Sequence, residues 1–220
     1  MISTSTITFL KDLKSNNDRE WFLANQKSYL SAKSSFIEVI GGIIEQLAKK
    51  STDYSGIEAS KCIFRINRDV RFSHNKSPYK TNFGASINTF GKKSFKAGLY
   101  VHLEPGLSFI GGGCYQPPAE ILAPIRQEID YNLDEFKMII GNRHFIKHYG
   151  GLDMMDTLKN PPRGYDNLNG GIEWIKLKSF VAFCNFSDKD VVKPDFYKTA
   201  SEKLTHLLPL INFLNRSTDV

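Results

Sequence analysis

Between Phe64 and Lys80 the chain reads FRINRDVRFSHNKSPYK, which places Arg65, Arg68, Arg71, Lys76 and Lys80 with the phenol of Tyr79 around one acid, Asp69. Guanidinium forks suit bidentate binding of phosphate or carboxylate, and a lysine adds a compact point charge. From Lys61 to Lys96 there are nine Lys or Arg and one acid, a local charge of +8 in a protein whose net charge is +6. The rest of the chain is therefore slightly acidic, and the basicity marks a place rather than a general solubility device. Arg65, Arg71, Lys76, Tyr79 and Lys80 are the candidate ligands for an anionic group.

Other residues in this region read as support. Arg68 falls between Ile66 and Val70 on the apolar side of an alternating segment, where an unpaired guanidinium is costly. It is expected to be mostly buried, bonded to a carboxylate or to carbonyls, and structural in role. Asp69 is placed to orient a neighbouring Arg or to hold the following turn. Tyr100 and His102, with Glu104, share the polar face of a later strand, and that face is either solvent-wetted or a concave binding surface.

Known chemical signatures are sparse elsewhere. The chain has neither a G-x-x-x-x-G-K-[ST] loop nor a G-x-G-x-x-G turn, so no P-loop or dinucleotide fold is predicted. Gly111, Gly112 and Gly113 could offer backbone N–H groups to phosphate, but read better as a twisted strand end close to another backbone. His144 and His148 stand four apart without the H-E-x-x-H core or an evident third ligand, so no metal site is predicted. No G-x-S-x-G, cysteine with an identifiable base or convincing catalytic carboxylate pair occurs, and whether the chain is an enzyme stays open. Cys62, Cys114 and Cys184 are odd in number and far apart, which fits small buried hydrophobes rather than a disulfide framework or a zinc knuckle. The sequence does not identify a cofactor.

Periodicity gives the scaffold that holds these groups. At 220 residues, 41% hydrophobic and 24% charged, the chain can bury a sizeable core and is not disordered. Thr6 is expected to cap a short helix carrying Phe9, Leu10 and Leu13, and Asp18 to open a longer one through about Lys50. The second has a core stripe at Tyr29, Ala32, Phe36, Ile40, Ile43, Ile44 and Leu47. Gly41 and Gly42 interrupt it and mark a close neighbour or a kink. From Lys61 the period becomes two: one long strand through Phe72, then strands around Phe83–Ile87, Leu99–Leu103 and Leu107–Phe109, in meander order. Helices start from Pro118 and Asn132, a further strand spans Ser179–Phe186, and Pro209 should kink a final helix from Pro194 to Asn215. The prediction is a single α+β domain over 1–220: a central antiparallel or mixed sheet of about four to six strands flanked by N-terminal and C-terminal helices. No apolar run is long enough to span a membrane and the N-terminus lacks a signal-peptide pattern, so the expected setting is cytoplasmic, with no membrane partner.

The basic run resembles the signature of the uncharacterised family labelled domain of unknown function 2461, whose members carry a pattern close to FRxxRDxRFSxDKSPYK. The resemblance extends to Asn17-Asp18-Arg19-Glu20-Trp21-Phe22, Tyr100-Val101-His102-Leu103-Glu104-Pro105-Gly106 and Pro162-Arg163-Gly164-Tyr165-Asp166, and so over most of the chain. Asn75 stands where the pattern has Asp, and Asn169-Gly170 where many members have His-Pro, which argues against a catalytic role at those positions. The resemblance implies kinship and no mechanism. The leading functional reading from the residues is binding or processing of a phosphorylated small molecule or nucleotide. The alternatives are a nucleic-acid surface with interleaved Phe64, Phe72, Tyr79, Phe83, Phe90 and Phe95, and a structural or protein-interaction module with no catalytic site.

Overall fold

The computed structural model describes residues 1–218. In chain order the elements are α1 (Thr4–Ser15), α2 (Arg19–Ala24), α3 (Gln26–Ala48), α4 (Ala59–Cys62), β1 (Phe83–Ile87), β2 (Gly98–Leu103), β3 (Ser108–Cys114), α5 (Ala119–Tyr131), α6 (Leu133–Ile140), α7 (Arg143–Tyr149), α8 (Ile172–Ile175), β4 (Phe180–Phe186), α9 (Asp188–Val191), α10 (Phe196–Thr205) and α11 (Leu208–Arg216). The strands form one antiparallel sheet in the order β1-β2-β3-β4, and the fold is α+β. Each consecutive pair of strands is adjacent, as expected of a meander. The Glu104–Leu107 connection closes through Leu107 N–H donating to the Glu104 carbonyl, with Gly106 at φ +76°. No helix of the described residues is long and apolar enough to cross a membrane.

The chain divides into two compact units. The first comprises Met1–Lys92, Tyr100–Ile110 and Asn185–Glu202. Its core is the α3 stripe, with Ala32, Phe36, Val39, Ile40, Ile43, Ile44 and Leu47 buried at helical spacing. Packed against it are Phe9, Leu10 and Leu13 of α1 and the buried face of β1. Each such side chain contributes roughly 1.5–3 kcal/mol on burial. The N-cap of α1 is Ser3 rather than Thr6: the Ser3 hydroxyl accepts from Thr6 N–H, and Thr6 is buried. The long helix expected from Asp18 is broken at Asn25, whose side-chain amide donates to the Trp21 carbonyl at 2.8 Å and ends α2. Gly42 marks a close neighbour and not a kink, because a Cβ there would lie 2.8 Å from the Tyr197 ring.

The long strand expected over Lys61–Phe72 is not formed. Ala59–Cys62 is helical, and the residues after Cys62 make only two isolated bridges, Ile63 to Ala85 and Asn67 to Tyr79. The period-two alternation has another origin. Residues 66–68 pair with 78–80 through Lys80 N–H to the Ile66 carbonyl and Arg68 N–H to the Pro78 carbonyl, so the basic run folds back on itself. Between these pairs, Asn75 Oδ1 accepts from Ser77 N–H in a side-chain turn, and Pro78 has no N–H to offer a ladder.

The second unit comprises Lys93–Leu99, Gly111–Cys184 and Lys203–Val220, of which residues to Thr218 are described. Its core gathers Ile125 and Ile129 of α5, Phe136 of α6, Phe145 of α7, Ile175 of α8, Phe180 of β4 and Leu210, Ile211, Phe213 and Leu214 of α11. The C-terminal helix is split rather than kinked, because Pro209 begins α11 where its missing N–H is tolerated. Gly111–Gly113 lie inside β3 against another backbone: a Cβ on Gly111 would be 2.5 Å from the Ala182 carbonyl oxygen, and Gly113, at φ +124°, has no space for one beside Phe180. All three cysteines are buried thiols.

Candidate functional site

The folded-back basic run of the first unit encloses one wall of a hollow of about 370 Å³, lined by Lys14, Asn17, Arg68, Asn75, Ser77, Tyr79, Lys80, Thr81 and Asn82. Three of these residues are cations and none is an acid. Among the described residues, Lys14, Arg68 and Lys80 have no carboxylate in ion-pair range. The remaining polar lining is amides and hydroxyls, groups that can donate to an anion.

Lys80 is half-buried, and its ammonium lies 5.6 Å from the centre of the Phe64 ring. Burial first, and the Arg65 charge second, hold its pKa below the ordinary lysine value. Arg68 is half-buried rather than buried, since no sheet covers it. Its guanidinium donates to the Ser77 carbonyl at 3.2 Å and to the Ser73 hydroxyl at 3.4 Å, which fixes it at the rim. Asn17 holds the backbone beneath: its side chain accepts from Tyr79 N–H and donates to the Tyr79 carbonyl, both at 3.0 Å, as a paired strand would.

The other candidate ligands are distributed differently. Tyr79 is buried, its ring stacked on Phe22 at 3.9 Å between centroids, so it forms the floor. Arg65 is exposed and close enough to Lys80 and Asp69 to act on both electrostatically. Arg71 is exposed and forked onto Asp69, with Nε 3.0 Å from Oδ1 and a terminal nitrogen 2.6 Å from Oδ2. Those hydrogen bonds lower the Asp69 pKa and raise that of Arg71. Lys76 is exposed and donates to the Val70 carbonyl. The structure thus brings Arg65, Arg68, Tyr79 and Lys80 to one locality and commits Arg71 and Lys76 to their own loop.

A chain of polar side chains adjoins the hollow through Thr81, whose hydroxyl donates to Glu104 Oε1 at 2.9 Å. Glu104 Oε2 is 3.0 Å from His102 Nε2, and His102 Nδ1 is 3.4 Å from the Tyr100 hydroxyl. In the neutral tautomer that donates Nε2–H to Glu104, Nδ1 presents its lone pair to the phenol. Burial, aided by the Glu104 charge, pushes the Tyr100 pKa up to about 12, so the phenol keeps its proton as a hydrogen-bond donor. His102 is clamped flat on Phe109, with centroids 4.7 Å apart and planes 11° from parallel. Gly84 on β1 makes room for the chain, since a Cβ there would strike the Tyr100 hydroxyl. A carboxylate–imidazole–phenol series of this kind can orient a donor and pass a proton along its length.

Lys14 and Thr81 carry no distinguishing signal in the sequence. Lys14 lies on the polar side of an ordinary amphipathic helix, and Thr81 is one residue beyond the recognisable run. Asn17 and Glu104 stand in the segments of resemblance, but only the fold joins them to Tyr79 and Thr81.

Among protein-family models, one described as a conserved hypothetical protein, DUF2461, matches residues 5–213. No curated protein and no solved structure matches the chain.

Proposed function

Because the chain belongs to the DUF2461 family of conserved hypothetical proteins, whose description names no reaction, we propose its function from the site itself: the first unit binds or processes a phosphate-bearing small molecule or nucleotide in the hollow beside Lys80. Lys80, Arg68 and Lys14 hold the phosphate, the Asn82 and Ser77 side chains complete its hydrogen bonding, and Arg65 adds to the field. Tyr79 shapes the floor. Thr81, whose hydroxyl is held by Glu104 and through it by His102 and Tyr100, forms the border.

The observation that carries this reading is the state of Lys80. It is a partly buried cation whose pKa is already lowered by burial and a second cation, and its hollow contains no acid to answer it. Such a group is destabilised until an anion arrives.

The test is a thermal-shift screen with inorganic phosphate, nucleoside phosphates, sugar phosphates and short oligonucleotides, followed by calorimetry on the hits at two salt concentrations. A pocket predicts stabilisation by one class of small phosphate with a shallow salt dependence. Binding confined to oligonucleotides, with a steep log–log salt slope, would replace this reading by a nucleic-acid surface.

A further inference from the structure

The second unit contains three imidazoles brought together by the chain. His144 and His148 lie one turn apart on the same side of α7, a helix fixed at its start by Asn142, whose side chain accepts from His144 N–H, and ended by Gly150 in the left-handed conformation. His206 follows α10, and its ring lies against both: 4.8 Å between centroids and 9° from parallel with His144, 5.3 Å and 14° with His148. Each ring can present one nitrogen such that the three lie within 4.8 Å of one another, and all three residues are half-buried.

We propose that His144, His148 and His206 form a binding site for a single divalent transition-metal ion of the zinc class, with the remaining coordination position open to water or a small ligand. Zinc takes imidazole nitrogens at about 2.0–2.1 Å, so two ligands on one tetrahedral ion stand about 3.4 Å apart. The three nitrogens must therefore draw in by up to about 1.4 Å, and the stacked rings must turn so that their lone pairs converge. Imidazole is a borderline ligand suited to zinc, copper and nickel, and the absence of a carboxylate from the group disfavours magnesium and calcium. Three protein ligands leave the fourth tetrahedral position to solvent, unlike the closed four-ligand set of a structural zinc site.

Neighbouring cations set the strength. Arg143 Nε donates to His144 Nε2 at 3.4 Å, a bond that a metal must displace unless it takes Nδ1, and Lys147 and Lys203 are close enough to His148 to act on it electrostatically. These charges oppose a dication and make the site exchangeable rather than permanently loaded. Lys203 also donates to Cys184 Sγ at 3.3 Å. All three imidazoles belong to the second unit, so the metal site and the anion hollow of the first unit stand or fall separately.

The experiment titrates the metal-free full-length chain with zinc chloride by calorimetry and with cobalt(II) by visible absorption. The expected result is one ion per chain, a visible cobalt band of four- or five-coordinate strength, and at least tenfold weaker zinc binding in each of His144→Gln, His148→Gln and His206→Gln. Circular dichroism of the metal-free variants establishes that each still folds, and the cobalt spectrum of the unaltered chain stands without them. No uptake, uptake without a cobalt band of that kind, or zinc binding that survives all three substitutions unchanged would overturn the proposal.

Discussion

Replacing Lys80 by Met separates a binding role from a structural one, because the two predict opposite signs. The methionine keeps an unbranched stem against Phe64 and removes the ammonium that lies 5.6 Å from that ring. If the cation serves the fold, its loss destabilises the protein. Among the described residues no carboxylate pairs with it, and burial and Arg65 already disfavour its charged form. The expectation is therefore that Lys80→Met leaves the unfolding free energy within about 0.5 kcal/mol of the parent or raises it. A charge-assisted contact to a bound anion contributes roughly 1.5–3 kcal/mol, so the same substitution should weaken phosphate-ligand binding by about ten- to a hundredfold. Urea denaturation and calorimetry on the same two proteins read both quantities. A Lys80→Met protein that is destabilised by more than about 1.5 kcal/mol while binding the ligand unchanged would refute the reasoning.

The geometry sets three further outcomes. Gly84→Ala should cost about 1–3 kcal/mol by driving a methyl into the Tyr100 hydroxyl, and pairing it with Tyr100→Phe should recover part of that loss in a double-mutant cycle read by urea denaturation. Tyr79→Ala, which empties the floor beneath the hollow and unstacks Phe22, should cost about 3 kcal/mol by the same measurement. Asp190, which forms the capping box of α9 with Ser187 and pairs with Lys193, has its pKa lowered to about 2 by hydrogen bonds from Lys193 and Ser187. Its contribution is complete above the unfolded carboxylate value and is lost as pH falls through about 2, so Asp190→Asn should shrink the acid-side decline in stability, measured by thermal denaturation from about pH 5 down to about pH 2.

The helices and the meander are legible in the sequence because their signals are local. The α3 stripe repeats every three or four residues, and Pro105-Gly106 dictates a tight turn between β2 and β3. The segment from Lys61 to Phe72 misleads because its alternation does not record a sheet face: Cys62, Ile63 and Ile66 are buried by a short helix and a chain folded on itself, while Phe72, in phase with Ile66, is exposed. The candidate site is half legible. The cations announce themselves by concentration, but their division into Lys80 and Arg68 facing the hollow and Arg71 held by Asp69 depends on the turn geometry between Val70 and Pro78. Contacts such as Asn17 to Tyr79, 62 residues apart, have no local signature. His206 is the same case, since no spacing rule joins it to His144 and His148.

The claim that the hollow beside Lys80 takes a phosphate-like anion is met most directly by diffraction from crystals soaked in a heavy tetrahedral oxyanion such as tungstate or selenate. An anomalous peak within hydrogen-bonding distance of Lys80 and Arg68, lost in crystals of Lys80→Met, is the predicted result. Oxyanion peaks elsewhere on the protein, with this hollow empty in the parent, would contradict it.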